Sequence, residues 1–497
     1  MCGIVGVIGP RDLADGPFWA AYEVYRGMLT LQHRGQDAAG ILSYDRERRK
    51  FYGEKDLGLV AQVFNREKLD TLQGEQAIGH ARYATVGSDG KNDLQPLVTG
   101  FPFGAGMAHN GNIVNYHSLA RELCDELGLN LLTNNDLELL LNLWCHYMLE
   151  GKKGSARAFD FEDVVRAALA IHRRAIGAYA LIGLMTPVGL FGLRDPNGIR
   201  PLVLGRREVA PGKFAHALAS ETLALNFMGY EFVRDILPGE VVLIDGEGIV
   251  HSRVLTEKSV RPTPCMFEWI YFAGAESTIE GQSVYGARLN LGRVLANKAR
   301  VLIENGVIAP DIVCPVPDTS RTAAISLAEQ LGLPYREGLI KNRYIQRSFI
   351  LNTQDKREKA VELKLSPVKS EIEGKKILLV DDSVVRGTTS KKIIDLLKRN
   401  GASEVTLAVT CPPIRYGCYY GIDFPSQSAL IANGRDDRAM AEWVGANQIL
   451  FIDIPDLKVA LGRNDLCMAC LDNKYPTDVS DAKEFADLRR SHQGGRP

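Results

Sequence analysis

The sequence predicts two successive units of different class: an α+β unit dominated by strands, then an α/β unit built on a parallel sheet. Three observations carry that division. Up to about residue 245, short apolar runs alternate with Gly-rich turns, which marks strands with helices between them. In the second half, helix-like amphipathic runs alternate with short, continuously apolar runs, as in buried parallel strands and their crossover helices. Between the two, residues 250–265 turn irregular and Pro-rich (Arg261-Pro-Thr-Pro264), which places the boundary there. The expected units are residues 2–245, residues 246–475 and a tail at 476–497.

Each element follows from its own pattern. Gly3-Ile-Val-Gly-Val-Ile8 reads as a short buried strand, and residues 76–80, 103–108, 178–184 and 240–244 as further strands. Residues 136–149 form the clearest helix of the first half, with apolar side chains on successive turns and acids near the start. In the second half, helices are expected at 293–304, 322–331 and 390–399, and strands at 311–315, 376–380 and 405–409. Residues 354–362 are charged without apolar periodicity and read as a mobile loop. The last twenty residues read as frayed, and no internal repeat is evident.

Composition narrows the function classes. A chain of 497 residues is too long for one ordinary core. With 59 basic against 60 acidic residues, the net charge of −1 gives no reason to expect nucleic acid or an anionic membrane as partner. No apolar run approaches the roughly 18–20 residues of a membrane span, and no signal peptide is evident, so the cytoplasm is the expected compartment. The nine cysteines are odd in number and too sparse for a disulfide scaffold, which leaves nucleophile or metal chemistry for some of them.

Two positions carry chemistry on their residues alone. Cys2 follows Met1 directly, and a small second residue favours methionine removal. The cysteine would then hold a thiol and a free α-amine, with reference pKa values of roughly 8.5 and 8, so that nucleophile and base sit on one residue. Position alone leaves a second reading open, a small buried residue at a strand start. The other is Lys376-Ile-Leu-Leu-Val-Asp-Asp-Ser-Val-Val-Arg-Gly-Thr-Thr-Ser390, where an apolar strand ends in two acids, passes a small polar loop with a glycine and enters a helix. Backbone N–H groups and hydroxyls at such a helix start cradle a phosphate, while Asp381 and Asp382 sit where ribose hydroxyls or a magnesium would lie.

These residues bring the sequence to known families. Val380 to Thr389 resembles the phosphoribosyl-pyrophosphate signature of the type I phosphoribosyltransferases. The resemblance implies a doubly wound sheet and Mg2+-assisted displacement of pyrophosphate, with Asp381, Asp382, Ser383, Arg386, Gly387, Thr388 and Thr389 on the substrate. Pro315-Val-Pro-Asp-Thr-Ser-Arg-Thr322 resembles the pyrophosphate loop, with Ser320 beside Asp381 and Asp382 near magnesium. Lys341-Asn-Arg-Tyr-Ile-Gln-Arg347 resembles the start of a hood that closes over the reactants, contributing Lys341, Tyr344 and Arg347. On its residues alone that basic run also fits a solvated face.

In the first half, Cys2-Gly-Ile-Val-Gly6, Gln32-His-Arg-Gly-Gln-Asp-Ala-Ala-Gly40, Gly79-His-Ala-Arg-Tyr-Ala-Thr85 and Ala108-His-Asn-Gly-Asn112 resemble the glutaminase domain of class II amidotransferases. That likeness implies a four-layer αββα fold of the N-terminal-nucleophile kind. It makes Cys2 the nucleophile, Asn110 and the Gly111 N–H the oxyanion hole, and Arg82 and Asp136 the clamp on the carboxylate and ammonium of glutamine. The two halves together, with Arg194-Asp-Pro-Asn-Gly-Ile-Arg-Pro-Leu-Val-Leu-Gly205 and Ala219-Ser-Glu221, resemble the amidophosphoribosyltransferase family. The implied reaction converts glutamine, phosphoribosyl pyrophosphate and water to phosphoribosylamine, glutamate and pyrophosphate, at the first committed step of purine synthesis. Ammonia passes between the sites. A homotetramer or dimer and feedback inhibition by purine nucleotides are further implications. Other class II amidotransferases lack the 380–389 pattern, and the alternative from another class is a non-catalytic, cluster-bearing relative that binds phosphoribosyl pyrophosphate or nucleotides.

Cys467-Met-Ala-Cys470, with Cys265 and Cys418, resembles the ligand set of the family's iron-sulfur branch, implying a [4Fe-4S] cluster; the same thiolates would also suit zinc. Cys124, Cys145 and Cys314 read as inert core residues, and Cys411 does not occupy a ligand place. Three departures stand out. Members of the branch often carry a propeptide before the nucleophile, whereas methionine removal would suffice here. Ala273-Gly-Ala-Glu-Ser277 stands where Ala-Arg-Pro-Asp-Ser is usual, and Glu362 where a basic residue is expected.

Overall fold

Residues of the strand Gly3–Ile8 alternate between two cores. Val5 and Val7 pack outward under the helix Ala20–Thr30, whereas Ile4 and Ile8 point into the space between two sheets. Glycines at Gly3 and Gly6 let both neighbours close in: a Cβ at Gly3 would meet Leu31 Cβ at 2.8 Å, and one at Gly6 would meet Leu190 Cδ1 at 2.9 Å. The computed structural model describes residues 1–10, 18–83, 91–150, 159–256, 260–342, 365–424 and 426–483.

Around that strand lies a seven-stranded antiparallel sheet in the order Glu231–Asp235, Val203–Ala210, Lys213–Ala219, Gly3–Ile8, Gln76–Arg82, Ala38–Asp45, Lys50–Leu57. A six-stranded antiparallel sheet faces it, in the order Val250–Val254, Glu240–Asp245, Gly189–Arg194, Gly177–Met185, Ala105–Ile113, Leu97–Thr99. Ile4, Ile78, Ile182, Leu218 and Val242 fill the gap between the sheets, each fully buried and worth about 1.5–3 kcal/mol in transfer terms. Helices Leu137–Leu149 and Phe161–Arg174 cover the outer face of the second sheet, where Trp144 stacks on Phe191 at 4.0 Å. The result is the four-layer αββα sandwich expected. The hairpin of Glu240–Asp245 with Val250–Val254 carries the sheet past residue 245.

The second unit holds a four-stranded parallel sheet in the order Ile312–Pro315, Lys376–Asp381, Glu404–Val409, Gln448–Phe451. Helices Val284–Glu304, Arg321–Leu331 and Ile454–Leu461 pack together, as do Thr388–Arg399 and Asp437–Val444, giving the doubly wound form. The first of these helices starts nine residues before the expected 293, where the Ser283 hydroxyl accepts from Gly286 N at 3.2 Å. The strand Gln448–Phe451 was not anticipated. Its core is not separate from the first unit: Met1, Val114, Ala178 and Ile199 belong to the same buried cluster as Met266, Trp269 and Tyr420.

The segment after 475 docks in part. Val479 is buried, Thr477 Oγ1 lies 2.9 Å from the Tyr420 hydroxyl, and Ser118 Oγ donates to Asp481 Oδ2 at 2.6 Å. Tyr344, Arg347, the charged run 354–362 and Glu362 lie outside the described residues. Among the described residues no helix is long and apolar enough to cross a membrane.

Candidate active sites

Cys2 stands at the end of the central strand, one residue before the Gly3–Ala81 pair, which sets it beside Arg82 on the neighbouring strand. Its Sγ is 3.9 Å from Tyr83 O. From the facing sheet, Asn110 brings its side chain to the same point: Cys2 N donates to Asn110 Oδ1 at 3.0 Å. Asn110 is fully buried, yet its Nδ2 has no partner among the described residues. A buried amide donor left open beside a thiol is what a developing oxyanion needs. Gly111 follows in the same strand, and a Cβ there would collide with Ala178 O, so only glycine keeps the ladder closed.

Arg82 is 8% exposed, and among the described residues its guanidinium takes no hydrogen-bond partner, which leaves its fork open for a carboxylate. Asp136 is the residue before the helix Leu137–Leu149 and accepts from Ile113 N at 2.9 Å and from His109 Nε2 at 3.3 Å. Burial pushes the Asp136 carboxyl up, but the field and hydrogen bond of His109 and the Ile113 N–H hold it below the usual range. His109 is itself fixed: Gln95 Oε1 accepts from its backbone N at 2.8 Å, and Gln95 Nε2 lies 2.9 Å from Nδ1. With the amide donating, Nδ1 accepts and the proton sits on Nε2, toward Asp136. His109 lay within a quoted motif but had no role in the sequence reading; its link to Asp136 joins residues 27 apart in the chain.

The second site gathers at the carboxyl ends of the parallel strands, the usual place for ligands in open α/β sheets. Asp381 ends its strand, and Asp382 N donates to Asp381 Oδ1 at 2.9 Å while Ser383 Oγ donates to Asp382 Oδ1 at 2.7 Å. Burial and then the neighbouring acid raise the Asp381 carboxyl well above the usual range. Burial pushes Asp382 up to about 6 against the pull of Ser383 and Arg288. Gly387 opens the helix Thr388–Arg399 at φ 75°, where a Cβ would meet Ile431 Cδ1 at 2.6 Å and Trp443 Cζ3 at 2.7 Å. Arg386, Thr388 and Thr389 are exposed around it. Ser320, capping the helix Arg321–Leu331, is buried and donates to Val316 O, and Lys341, at the end of the short strand Leu339–Lys341, pairs through Nζ with Asp318 Oδ2 at 2.7 Å.

Cys265, Cys418, Cys467 and Cys470 approach one another on three segments without closing into a metal-binding group. Cys265 and Cys467 form a short parallel bridge, in which Cys467 N donates to Pro264 O at 2.9 Å. The thiols lie in one another's field, and burial pushes Cys265 up to about 11. Tyr420 N donates to Cys418 Sγ at 3.3 Å, and the buried Arg200 turns its charge on Cys265, Cys418 and Cys467. Among the described residues no three or more His, Cys, Asp or Glu side chains are drawn together as for a bound metal ion.

Between the two units runs a buried ionic network that the sequence reading missed. Glu221 accepts from Arg34 Nε, from His33 Nε2 at 2.7 Å, from Ser277 Oγ at 2.6 Å and from Gly274 N at 2.8 Å. Glu268 takes Arg34 Nη2 at 2.7 Å and Arg200 Nη1 at 3.3 Å. The departure at 273–277 falls on this network. A Cβ at Gly274 would meet Leu223 Cδ2 at 2.9 Å, so the glycine fits where the usual arginine would need room.

Comparison with known proteins decides the family. The glutamine amidotransferase domain family matches residues 69–253 and the phosphoribosyl transferase domain family residues 282–419. The amidophosphoribosyltransferase of Pseudomonas aeruginosa is 41% identical, over 97% of this chain and 94% of its own. The chain belongs to the amidophosphoribosyltransferase family. Two solved structures agree throughout their length. One, described as the allosteric regulatory enzyme of purine biosynthesis, is 36% identical with a TM-score of 0.83, covering 96% of this chain and 97% of its own. The other, the glutamine phosphoribosylpyrophosphate amidotransferase of B. subtilis complexed with ADP and GMP, is 35% identical with a TM-score of 0.82, covering 96% and 98%. As an amidophosphoribosyltransferase, the chain is a glutamine-dependent pentosyltransferase that aminates phosphoribosyl pyrophosphate in purine synthesis.

Proposed function

We propose that Cys2, Asn110 and Gly111 carry the glutaminase chemistry, that Arg82 and Asp136 hold the substrate, and that the 381–389 loop with Ser320 holds phosphoribosyl pyrophosphate. The unpartnered Nδ2 of Asn110 beside Cys2 carries the first part of this reading. Once Met1 is removed, the α-amine of Cys2 keeps its contact to Asn110 Oδ1 and takes the thiol proton. The thiolate attacks the amide carbon, Asn110 Nδ2 and the Gly111 N–H receive the oxyanion, and collapse to a thioester releases ammonia. Water then frees glutamate.

At the second site ammonia attacks C1 of the ribose and pyrophosphate leaves. Two adjacent carboxyls raised by burial, facing a phosphate cradle, suit a hard cation; Asp381, Asp382 and Ser320 would hold Mg2+, which neutralises the departing pyrophosphate. Ser383, Arg386, Gly387, Thr388 and Thr389 present donors to the phosphates. Lys341, with Tyr344 and Arg347 beyond the described residues, would contact the phosphates, and the Lys341–Asp318 pair is what an incoming phosphate would displace.

The four cysteines fit a [4Fe-4S] cluster by the chemistry of the donor set: four thiols, an N–H donated to Cys418 Sγ and a buried cation facing three of the four. Such a cluster would tie the C-terminal segment to both units. The B. subtilis relative was solved with ADP and GMP, and nucleotides of that class are the inhibitors to test here, on a homotetramer or dimer.

The test is glutamate release with and without phosphoribosyl pyrophosphate and Mg2+, beside Cys2→Ala. The variant should lose glutamine-dependent synthesis and keep synthesis from ammonia. A folded variant that loses both overturns the two-site reading.

A further inference from the structure

An aspartate at the start of a helix ordinarily turns its carboxylate back to cap the first turn. Asp136 does not, for it makes no side-chain bond to the helix Leu137–Leu149. Asn135 takes that task instead: its Oδ1 accepts from Leu137 N at 3.0 Å while its Nδ2 donates to Asp93 O at 2.7 Å. The Asp136 carboxylate is thereby released toward the strand Ala105–Ile113.

There it meets two donors. Asp136 Oδ2 accepts from Ile113 N at 2.9 Å, and His109 Nε2 lies 3.3 Å from Oδ1 and 3.4 Å from Oδ2. Residues 109, 111 and 113 share one face of the strand, and the middle one, Gly111, has no side chain to block the approach. The two contacts therefore bracket Asn110 and Gly111. The Asp136 side chain keeps 19% exposure against 4% for His109, so the carboxylate has an open side while the ring has none. With about four lone-pair sites, a carboxylate holding these two donors can still accept from a third.

His109 has no freedom in how it donates. The buried Gln95 amide accepts from His109 N at 2.8 Å through Oε1, and its Nε2 lies 2.9 Å from His109 Nδ1 and 3.3 Å from Asn135 Oδ1. Turning that amide over would set donor against donor at His109 N and acceptor against acceptor at Asn135, so its orientation is fixed. An amide nitrogen only donates, which makes Nδ1 the acceptor and puts the ring proton on Nε2. In that tautomer the ring gives Asp136 a hydrogen bond and leaves the carboxylate its full negative charge.

We propose that His109, its tautomer set by Gln95, is a positioning residue that aims Asp136 at the α-ammonium of glutamine and so makes the site selective for an α-amino acid amide. This deepens the role given above to Asp136 and rests on it. Neither His109 nor Gln95 touches a reacting atom. A misaimed carboxylate is felt only by a substrate that carries the ammonium, which separates this role from a contribution to the fold.

The experiment uses the full chain with phosphoribosyl pyrophosphate and Mg2+ present. It compares hydrolysis of glutamine with that of glutaramate, which is glutamine without its α-amine, for the wild type, His109→Leu, His109→Gln, Gln95→Met and Asp136→Asn. In His109→Leu the KM for glutamine should rise, and the preference for glutamine in kcat/KM should fall, by about 10- to 100-fold, the factor that one charge-assisted hydrogen bond carries. The kcat for glutamine and the kcat/KM for glutaramate should stay within about threefold of the wild type, because uniform binding alone is lost. His109→Gln returns an amide donor near the place of Nε2 and should recover most of the preference. Gln95→Met leaves the ring but frees its tautomer, and should lose part of the preference; it carries the test alone should His109→Leu not fold. A parallel loss on both substrates, or an unchanged preference in the folded variants, overturns the inference. If Asp136→Asn prefers glutamine as strongly as the wild type does, the role of Asp136 itself fails. A preference lost in Asp136→Asn but kept in the His109 and Gln95 variants overturns the positioning role alone.

Discussion

Asn110 holds Cys2 from across the sandwich: its Oδ1 accepts from Cys2 N at 3.0 Å while its Nδ2 has no partner among the described residues. One amide thus fixes the nucleophile and offers a donor to the charge that forms on attack. Asn110→Ala should lower glutamine-dependent kcat by about 10² to 10³, as removal of one oxyanion donor does. Synthesis from ammonia should be unchanged. Steady-state assays with the two nitrogen sources check this, and an equal fall in both would mean that Asn110 serves the fold.

Gly387 puts the phosphate loop under a different constraint. At φ 75°, with Ile431 and Trp443 within 2.7 Å of a would-be Cβ, Gly387→Ala pays twice, in backbone strain of about 1–2 kcal/mol and in overlap. The loop should open, so the KM for phosphoribosyl pyrophosphate rises and synthesis from ammonia falls, while glutamate release without that substrate continues. A variant with unchanged KM would show that the loop does not bind the phosphates.

How far these sites could be read from sequence depended on how local their causes are. The strand Lys376–Asp381 and its loop were legible because an apolar run, two acids, a glycine and a helix start follow one another directly. Gln448–Phe451 escaped because four residues show no period, and the start of the helix Val284–Glu304 because Gly286 and Gly292 interrupt the pattern. Gly292 is there to let the backbone at Ala323 approach. The Arg34–Glu221 and Arg34–Glu268 pairs join residues 187 and 234 apart, so nothing in a sequence window could have announced them. His109 was visible as a motif letter, but its partner Asp136 came near it only through the fold.

Glu221 gives the interdomain network a pH signature. Burial pushes its carboxyl up, but Arg34 and His33 hold it far below the usual range. A carboxyl depressed by folding contributes stability that is present above its unfolded value of about 4.3 and is lost as the pH falls through the folded value. Stability should therefore decline below about pH 4.3 with one proton of linkage from this residue. Glu221→Gln should remove that proton from the slope and, by leaving the buried Arg34 and Arg200 to share Glu268, cost about 3–5 kcal/mol at neutral pH. Urea unfolding at pH 7 and pH 4 measures both, and an unchanged acid slope would show that Glu221 is not depressed.

The last prediction concerns the four cysteines, where composition of the metal separates two structures that the ligands alone do not. Protein purified without oxygen should be brown and carry about four iron and four sulfide per chain; one zinc per chain would exclude the cluster. Cys470→Ser should lower the iron content in step with the colour. Because Cys418 begins the segment that reaches Gly421, loss of the group should also loosen that segment. Amide exchange at residues 419–421 and at Gly111 should then quicken before the parallel sheet does, since Tyr419 O accepts from Asn112 Nδ2 and Gly421 packs against Gly111. Exchange that quickens at the sheet first would place the cysteines in the core of the second unit alone.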